Sequence, residues 1–340
     1  MPVRRFLMAL VACFVAGPAL AELPATWPDA ASDDAVLIEP VALASSTPFT
    51  IADVGDPDDA PPTEAAAALF MPADASADNP VPAVVLLHGA AGVLQTREPA
   101  YARQLASLGV AAMVVDVFGA RRDLATGFTD RLLNITEAAM LADAYAALAY
   151  LDSLPEVDGS KVVLAGFSYG GMAATYAAYE AVAERLAPDG QRFAGHVAFY
   201  APCIASFEDN RATGAPLLML AGTGDAIVDP ERCSAVASEL EDGGTDVTTV
   251  YYDGAYHQWD GRFAGPRAIG RNLAPCDFYV DDDGDVYDAG SWLPMSGPFM
   301  RKIILGLCSD PDGYLIGRDD EIRDRAIVDW TRFLNAVFDG

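Results

Sequence analysis

From residue 64 onward, short apolar runs alternate with segments of helical spacing. Residues 83–87 (AVVLL), 110–115, 161–165, 196–200 and 216–220 have the unbroken apolar character of strands buried on both faces of a parallel sheet. Residues 247–252 read as one further strand. Between these runs, residues 96–108 have helical periodicity and stop at Gly109, residues 135–154 predict a long amphipathic helix ended by Pro155, and residues 172–186 predict another helix. Residues 320–338 predict a last helix with Ile322, Ala326, Trp330, Phe333 and Val337 along one face. Ahead of all this, residues 22–62 form a polar lead rich in Pro and Asp, and residues 64–71 are expected as an edge strand. Alternating strands and helices predict an α/β fold, with a mostly parallel central sheet covered by helices on both faces. Functional groups then belong on the loops at the carboxyl ends of the strands.

The first 21 residues do not fit that alternation. Arg4 and Arg5 precede an apolar run, and Ala19-Leu20-Ala21 is a small-x-small cleavage site, so residues 1–21 read as a signal peptide removed before Glu22. The run is shorter than the roughly 20 residues a bilayer span needs, so no stable membrane insertion is expected. Leu10 to Cys13 also resembles a lipoprotein box, but the apolar stretch that follows suits a mature N-terminus poorly. The expected location is secreted or periplasmic. Four cysteines remain after the leader (Cys203, Cys233, Cys276 and Cys308), an even number that favours disulfides in an exported chain and allows three connectivities. With no CxxC pair, a zinc site is not expected.

The charge narrows the partners. The chain has 49 acidic and 21 basic residues, a net charge of -28, and 52% hydrophobic residues. That acidity argues against nucleic acid as a partner, because phosphate binding needs a positive surface. The hydrophobic fraction is enough for a sizeable core.

Candidate chemistry sits at the strand ends. Gly166-Phe167-Ser168-Tyr169-Gly170-Gly171 lies between a strand (VVLA) and a helix (MAATYAAY), which is the context of a nucleophile elbow. The flanking glycines leave room for a sharp turn that exposes the serine. A serine hydroxyl needs a base, and the chain has three histidines. His88 follows the AVVLL strand, and His196 starts a strand as a packed core or surface residue would. His257, in GAYHQW after the 247–252 strand, comes last in the expected Ser, Asp, His order and is the candidate general base. The candidate acid is Asp225, directly after the LLMLAGTG strand and turn; Asp229, before Pro230, is explained by an N-cap. The oxyanion donors expected are the backbone N–H groups of Tyr169 and Ala90. His88 and Gly89 then serve as support for the loop that carries Ala90.

HGAAG, GFSYGG, GTGDAIV and GAYHQW, each after its own strand, together resemble the α/β-hydrolase superfamily, and within it the dienelactone hydrolase-like branch, over roughly residues 64–259 plus the last helix. The resemblance implies a hydrolase domain over residues 63–340 with Ser168, Asp225 and His257 as its triad. Founding enzymes of that branch carry a cysteine nucleophile in a cytoplasmic protein. Serine and a leader here point to a general carboxylic ester, small or polymeric, and not to dienelactone itself.

The chain departs from the branch in an insertion at about 262–317. It holds Asp277, Asp281, Asp282, Asp283, Asp285 and Asp288 together with Trp292 and two cysteines. DDDGD suggests a calcium loop, but Tyr279 stands where an EF-hand needs its first carboxylate, so a solvated acidic loop is expected. The pairs expected are Cys276–Cys308, closing the insertion, and Cys203–Cys233, tying two neighbouring loops. The insertion is expected to form one wall of the cleft. Asn134-Ile135-Thr136 is a formal glycosylation sequon, expected at a helix start. The function expected is a secreted serine esterase working through an acyl-enzyme without metal or organic cofactor. The alternatives are a serine peptidase of the same fold, or a non-catalytic binding protein on the same scaffold.

Overall fold

The structure, a computed structural model, describes residues 22–28, 35–124 and 126–339; the expected leader at 1–21 lies outside them. β1 (Val36–Ser46) runs antiparallel to β2 (Pro62–Pro72). β3 (Val81–Leu87) leads through α1 (Glu98–Ser107) to β4 (Ala111–Asp116), and α2 (Phe128–Asn134) and α3 (Glu137–Asp152) lead to β5 (Val157–Phe167). α4 (Tyr169–Tyr176) and α5 (Glu180–Leu186) precede β6 (Gly195–Phe199) and the short β7 (Ala205–Phe207). β8 (Leu217–Gly222) and β9 (Val247–Tyr252) flank α6 (Pro230–Asp242). The chain then forms β10 (Arg267–Ile269), β11 (Phe278–Val280), β12 (Val286–Asp288), α7 (Pro298–Cys308), β13 (Tyr314–Ile316) and α8 (Asp320–Asp339).

The main sheet has the order β1-β2-β4-β3-β5-β6-β8-β9. β1/β2 and β2/β4 are antiparallel, and every pair from β3/β4 to β8/β9 is parallel. This is the α/β architecture expected. All seven residues of β3 and all six of β8 are buried, as unbroken apolar runs in a covered parallel sheet must be. Each such Val or Leu stabilises the fold by roughly 1.5–3 kcal/mol. α3 packs against α4, while α1 meets α8 through an edge-on contact of Tyr101 with Trp330 at 5.4 Å. The residues before β1 lie across α8: Leu23 N–H donates to Asn335 Oδ1 and Trp27 Nε1 to Thr331 Oγ1, both at 2.8 Å.

Four local expectations are corrected. The edge strand is β1, and residues 64–71 form a strand paired on both sides. β1 is mostly exposed and carries Pro40, which edge strands tolerate, so no apolar alternation marks it. It is fastened by Arg121, which donates to Ser46 O at 2.7 Å and pairs with buried Asp143 of α3. The helix expected as amphipathic, α3, has 11 of its 16 residues buried because the sheet and α4 cover it. Residues 172–186 form two helices; Tyr179 bridges to Ala212, and Glu180 N–H donates to Arg211 O at 2.8 Å, so strand-like pairing replaces helix continuation. Asn134 ends α2, where its amide donates to Leu124 O at 2.9 Å.

The cysteines form Cys203–Cys233 and Cys276–Cys308, a chemistry suited to an oxidising compartment. No single helix among the described residues is long and apolar enough to cross a membrane; the bent pair α2 and α3 passes by composition, and α3 is interior to the fold.

His196 is wholly buried in β6, and neither ring nitrogen has a hydrogen-bond partner among the described residues. Burial pushes its pKa down to about 3, so it is neutral in the folded state at neutral pH. The unfolded chain, with an ordinary value near 6.5, binds a proton that the native state does not. This group therefore contributes stability that is present above pH 6.5 and is lost as pH falls below it, by about 1.4 kcal/mol per unit. His196→Leu is expected to flatten the acid limb of a urea-denaturation series between pH 6.5 and pH 4. An unchanged slope contradicts this.

Candidate active site

Four loops meet at the carboxyl end of the parallel strands, following β3, β5, β8 and β9. Ser168 follows β5 and has φ 54°, ψ -109°, a backbone that L residues seldom adopt. The turn is possible because the residues two places to either side, Gly166 and Gly170, lack side chains. A Cβ on Gly166 would meet Gly170 O at 1.9 Å, and a Cβ on Gly170 would meet Leu87 O at 2.5 Å. The Ser168 N–H donates to Phe199 O at 2.8 Å, which ties the turn to the end of β6.

His257 is wholly buried, and the structure brings it between Ser168 and Asp225. Its Nδ1 lies 2.7 Å from Asp225 Oδ2 and its Nε2 2.8 Å from Ser168 Oγ. Asp225 can only accept, so Nδ1 carries the hydrogen and Nε2 is left to accept from the serine hydroxyl. The other carboxylate oxygen of Asp225 accepts from Ile227 N–H at 3.1 Å, which holds its plane. Asp229 is elsewhere engaged: its Oδ1 accepts from the N–H groups of Glu231 (2.9 Å) and Arg232 (3.4 Å) as the N-cap of α6.

Tyr169 is the first residue of α4, so its N–H has no partner within the helix and stands beside Ser168. Ala90 lines the same cleft. His88 Nδ1 donates to Gly89 O at 2.8 Å, and its ring packs on Phe118 at 4.5 Å. Burial lowers the His88 pKa, with Glu98 and Asp116 opposing. His88 thus sits inside the loop that carries Ala90 and does not reach Ser168 by any hydrogen bond among the described residues.

Residues that sequence reasoning did not single out complete the site. The insertion reaches the histidine directly: His257 N–H donates to Leu315 O at 3.1 Å, and Gly317 N–H donates to His257 O at 3.0 Å. The Tyr314 ring stands edge-on to the imidazole at 5.1 Å. On another side Tyr200 packs edge-on against the imidazole at 4.8 Å. Tyr200 Oη donates to Asp260 Oδ1 at 2.6 Å and accepts from Arg97 Nη1 at 3.2 Å, and Tyr101 donates to Asp260 Oδ2 at 3.2 Å. Arg97 pairs with buried Glu98 and lies over the Phe167 ring, 4.8 Å from its centre. Burial pushes the Asp260 carboxyl up, with Arg97 and Tyr200 opposing, and it pushes the Tyr200 hydroxyl up as well. Burial alone would lower the Arg97 guanidinium, and Glu98, Tyr200 and Asp260 together more than offset this, so it is raised. The network joins the residue before Ser168 to the residue three places after His257. Asp260, one acid among 49, carries no spacing signal that marks it.

A cleft of about 630 Å³ opens over Ser168. Its floor is Ala90, Tyr169, Met172 and Ile227; one wall is α2, with Phe128 and Leu132, and the other is the insertion, with Ile269, Leu273, Leu305 and Tyr314. Arg271 and Lys302 are the charged residues of its lining, in a chain of net charge -28. The acidic run folds as the turn of the β11–β12 hairpin, where Asp285 N–H donates to Asp281 Oδ1 at 2.9 Å, with Gly284 at φ 83°. Among the described residues no group of three or more His, Cys, Asp or Glu is placed to hold a metal.

The sequence profile described as "Dienelactone hydrolase family" matches residues 66–269. Similar solved structures include a dienelactone hydrolase-like promiscuous phosphotriesterase from metagenomic libraries, at 24% identity over 65% of this chain and 84% of that one, with a TM-score of 0.46. Another is a thermophilic esterase from the planctomycete Thermogutta terrifontis with propionate bound, at 21% identity over 64% and 85%, also with a TM-score of 0.46. No curated protein matches the chain.

Proposed function

The chain belongs to the dienelactone hydrolase family, and from that premise we propose that it is an exported serine hydrolase that cleaves carboxylic esters through Ser168, His257 and Asp225. The observation that carries this reading is the continuous hydrogen-bonded line from Asp225 Oδ2 through both nitrogens of His257 to Ser168 Oγ. His257 Nε2 takes the hydroxyl proton as Ser168 Oγ bonds to the ester carbonyl carbon. The N–H groups of Tyr169 and Ala90 stabilise the oxyanion that develops, each contributing about 3–4 kcal/mol to the transition state. The tetrahedral species collapses as His257 returns the proton to the departing alcohol, leaving an acyl group on Ser168. Water, deprotonated by the same nitrogen, then releases the acid and restores the serine. Asp225 keeps the tautomer and stabilises the imidazolium that forms in both halves. No metal or organic cofactor enters this cycle.

The largely apolar lining supports esters with an apolar body, and the two disulfides support export. A series of p-nitrophenyl esters of increasing acyl length, run beside the matching anilides, tests the reading. Ester turnover without anilide turnover is expected. Preferential cleavage of anilides would instead mark a peptidase, and binding without turnover a non-catalytic protein.

A further inference from the structure

α7 divides its surface three ways. Arg301 and Ile304 face inward, and Arg301 ties the helix down by donating to Leu132 O at 2.7 Å and pairing with Glu137. Lys302, Leu305 and Gly306 line the cleft above Ser168. Phe299, Ile303 and Leu307, four residues apart and so on one face, point outward; Phe299 is 73% and Leu307 72% exposed. Across the cleft mouth α2 presents Phe128, 49% exposed, which also lines the cleft.

Scattered exposed apolar residues need no explanation, but large ones gathered at the mouth of an apolar cleft do. The charge pattern is equally local. From Ala289 to Cys308 there is no acidic residue, in a chain carrying 49. Cys308 is bonded to Cys276, so both ends of α7 are anchored and its outward face is held in place.

We infer that the outer face of α7, with Phe128 of α2, is a docking rim for the surface of a water-insoluble ester, as in an emulsified triacylglycerol. The inference rests on the ester-hydrolase reading of the same cleft. An uncharged apolar surface suits this rim because it meets Phe299, Ile303 and Leu307 without drawing the anionic remainder of the protein into contact. The rim is continuous with the cleft, so a molecule leaving the droplet passes from Leu307 and Phe128 to Leu305 and then to Ser168. A second copy of the chain is the rival occupant.

The test uses tributyrin below and above its solubility limit, soluble p-nitrophenyl acetate, and the double variant Phe299→Ser/Leu307→Ser. The expected result is a rise in wild-type rate when droplets appear, reduced on the order of tenfold in the double variant, with p-nitrophenyl acetate turnover unchanged in both. Droplet flotation with Ser168→Ala protein separates docking from chemistry: it should bind droplets, and Ser168→Ala combined with the double substitution should not. Absence of droplet binding by the Ser168→Ala protein overturns the inference even if soluble esters are cleaved. An equal loss on soluble and emulsified esters also overturns it, as does a dimer in sedimentation that the double variant converts to monomer. Droplet binding without any ester turnover would instead sink the ester-hydrolase reading and leave the rim standing.

Discussion

Ser168→Ala is expected to lower kcat by roughly a millionfold, the scale on which a triad serine acts, while the protein remains folded. Ala retains the Cβ, the turn and the hydrogen bond from residue 168 N–H to Phe199 O, so only the nucleophilic oxygen is lost. Stability carries a second, independent readout. The backbone at Ser168, φ 54° and ψ -109°, is of the kind that costs a residue with a side chain about 1–3 kcal/mol. Glycine adopts it freely but gives the unfolded chain more entropy, a loss of about 0.5–1 kcal/mol. Ser168→Gly should therefore be about 1 kcal/mol more stable than Ser168→Ala in urea denaturation. A Ser168→Gly variant about 0.5–1 kcal/mol less stable than Ser168→Ala would show that the elbow stores no strain.

Asp225→Asn is expected to lower kcat by about 10⁴-fold with little change in fold. The carboxylate oxygen 2.7 Å from His257 Nδ1 accepts a hydrogen; an amide NH₂ in its place would force Nδ1 to become the acceptor and put the hydrogen on Nε2. His257 could then no longer take a proton from Ser168. Asp229→Asn, four residues away, is the control. Its carboxylate caps α6, an amide oxygen can accept the same backbone hydrogens, and activity should stay within about twofold. If Asp229→Asn and Asp225→Asn traded places in this comparison, the assignment of the acid would be wrong.

The readable parts of the site were those with a local cause. Gly166, Ser168 and Gly170 announce themselves because glycine is forced around one sharp turn: at Gly166 by the turn's own backbone, at Gly170 by the end of β3, yet both within one five-residue motif. Asp225 and His257 follow recognisable strands, so their topological place could be read although the contacts among the three lie 32 and 89 residues apart. The parallel core was legible for the same reason, since a strand buried on both faces must be apolar throughout. What escaped depends on tertiary context. β1 is held by Arg121 and by pairing with β2, and its own residues show no strand pattern. The break between α4 and α5 is imposed by residues 211–213. Arg97, Tyr200 and Asp260 meet from three separate segments, and nothing near any of them marks a buried charge. The backbone support that β13 gives His257 is invisible until the insertion is seen to return to the loop it left.

Mass spectrometry after treatment with a fluorophosphonate tests the central claim most directly, because the reagent reacts only with a serine whose proton a neighbour can accept. The protein should gain one phosphonyl group, mapped to the peptide containing Ser168, and His257→Ala should lose that labelling while keeping its fold. Labelling at another serine, or at Ser168 with the same rate in His257→Ala, would contradict the account.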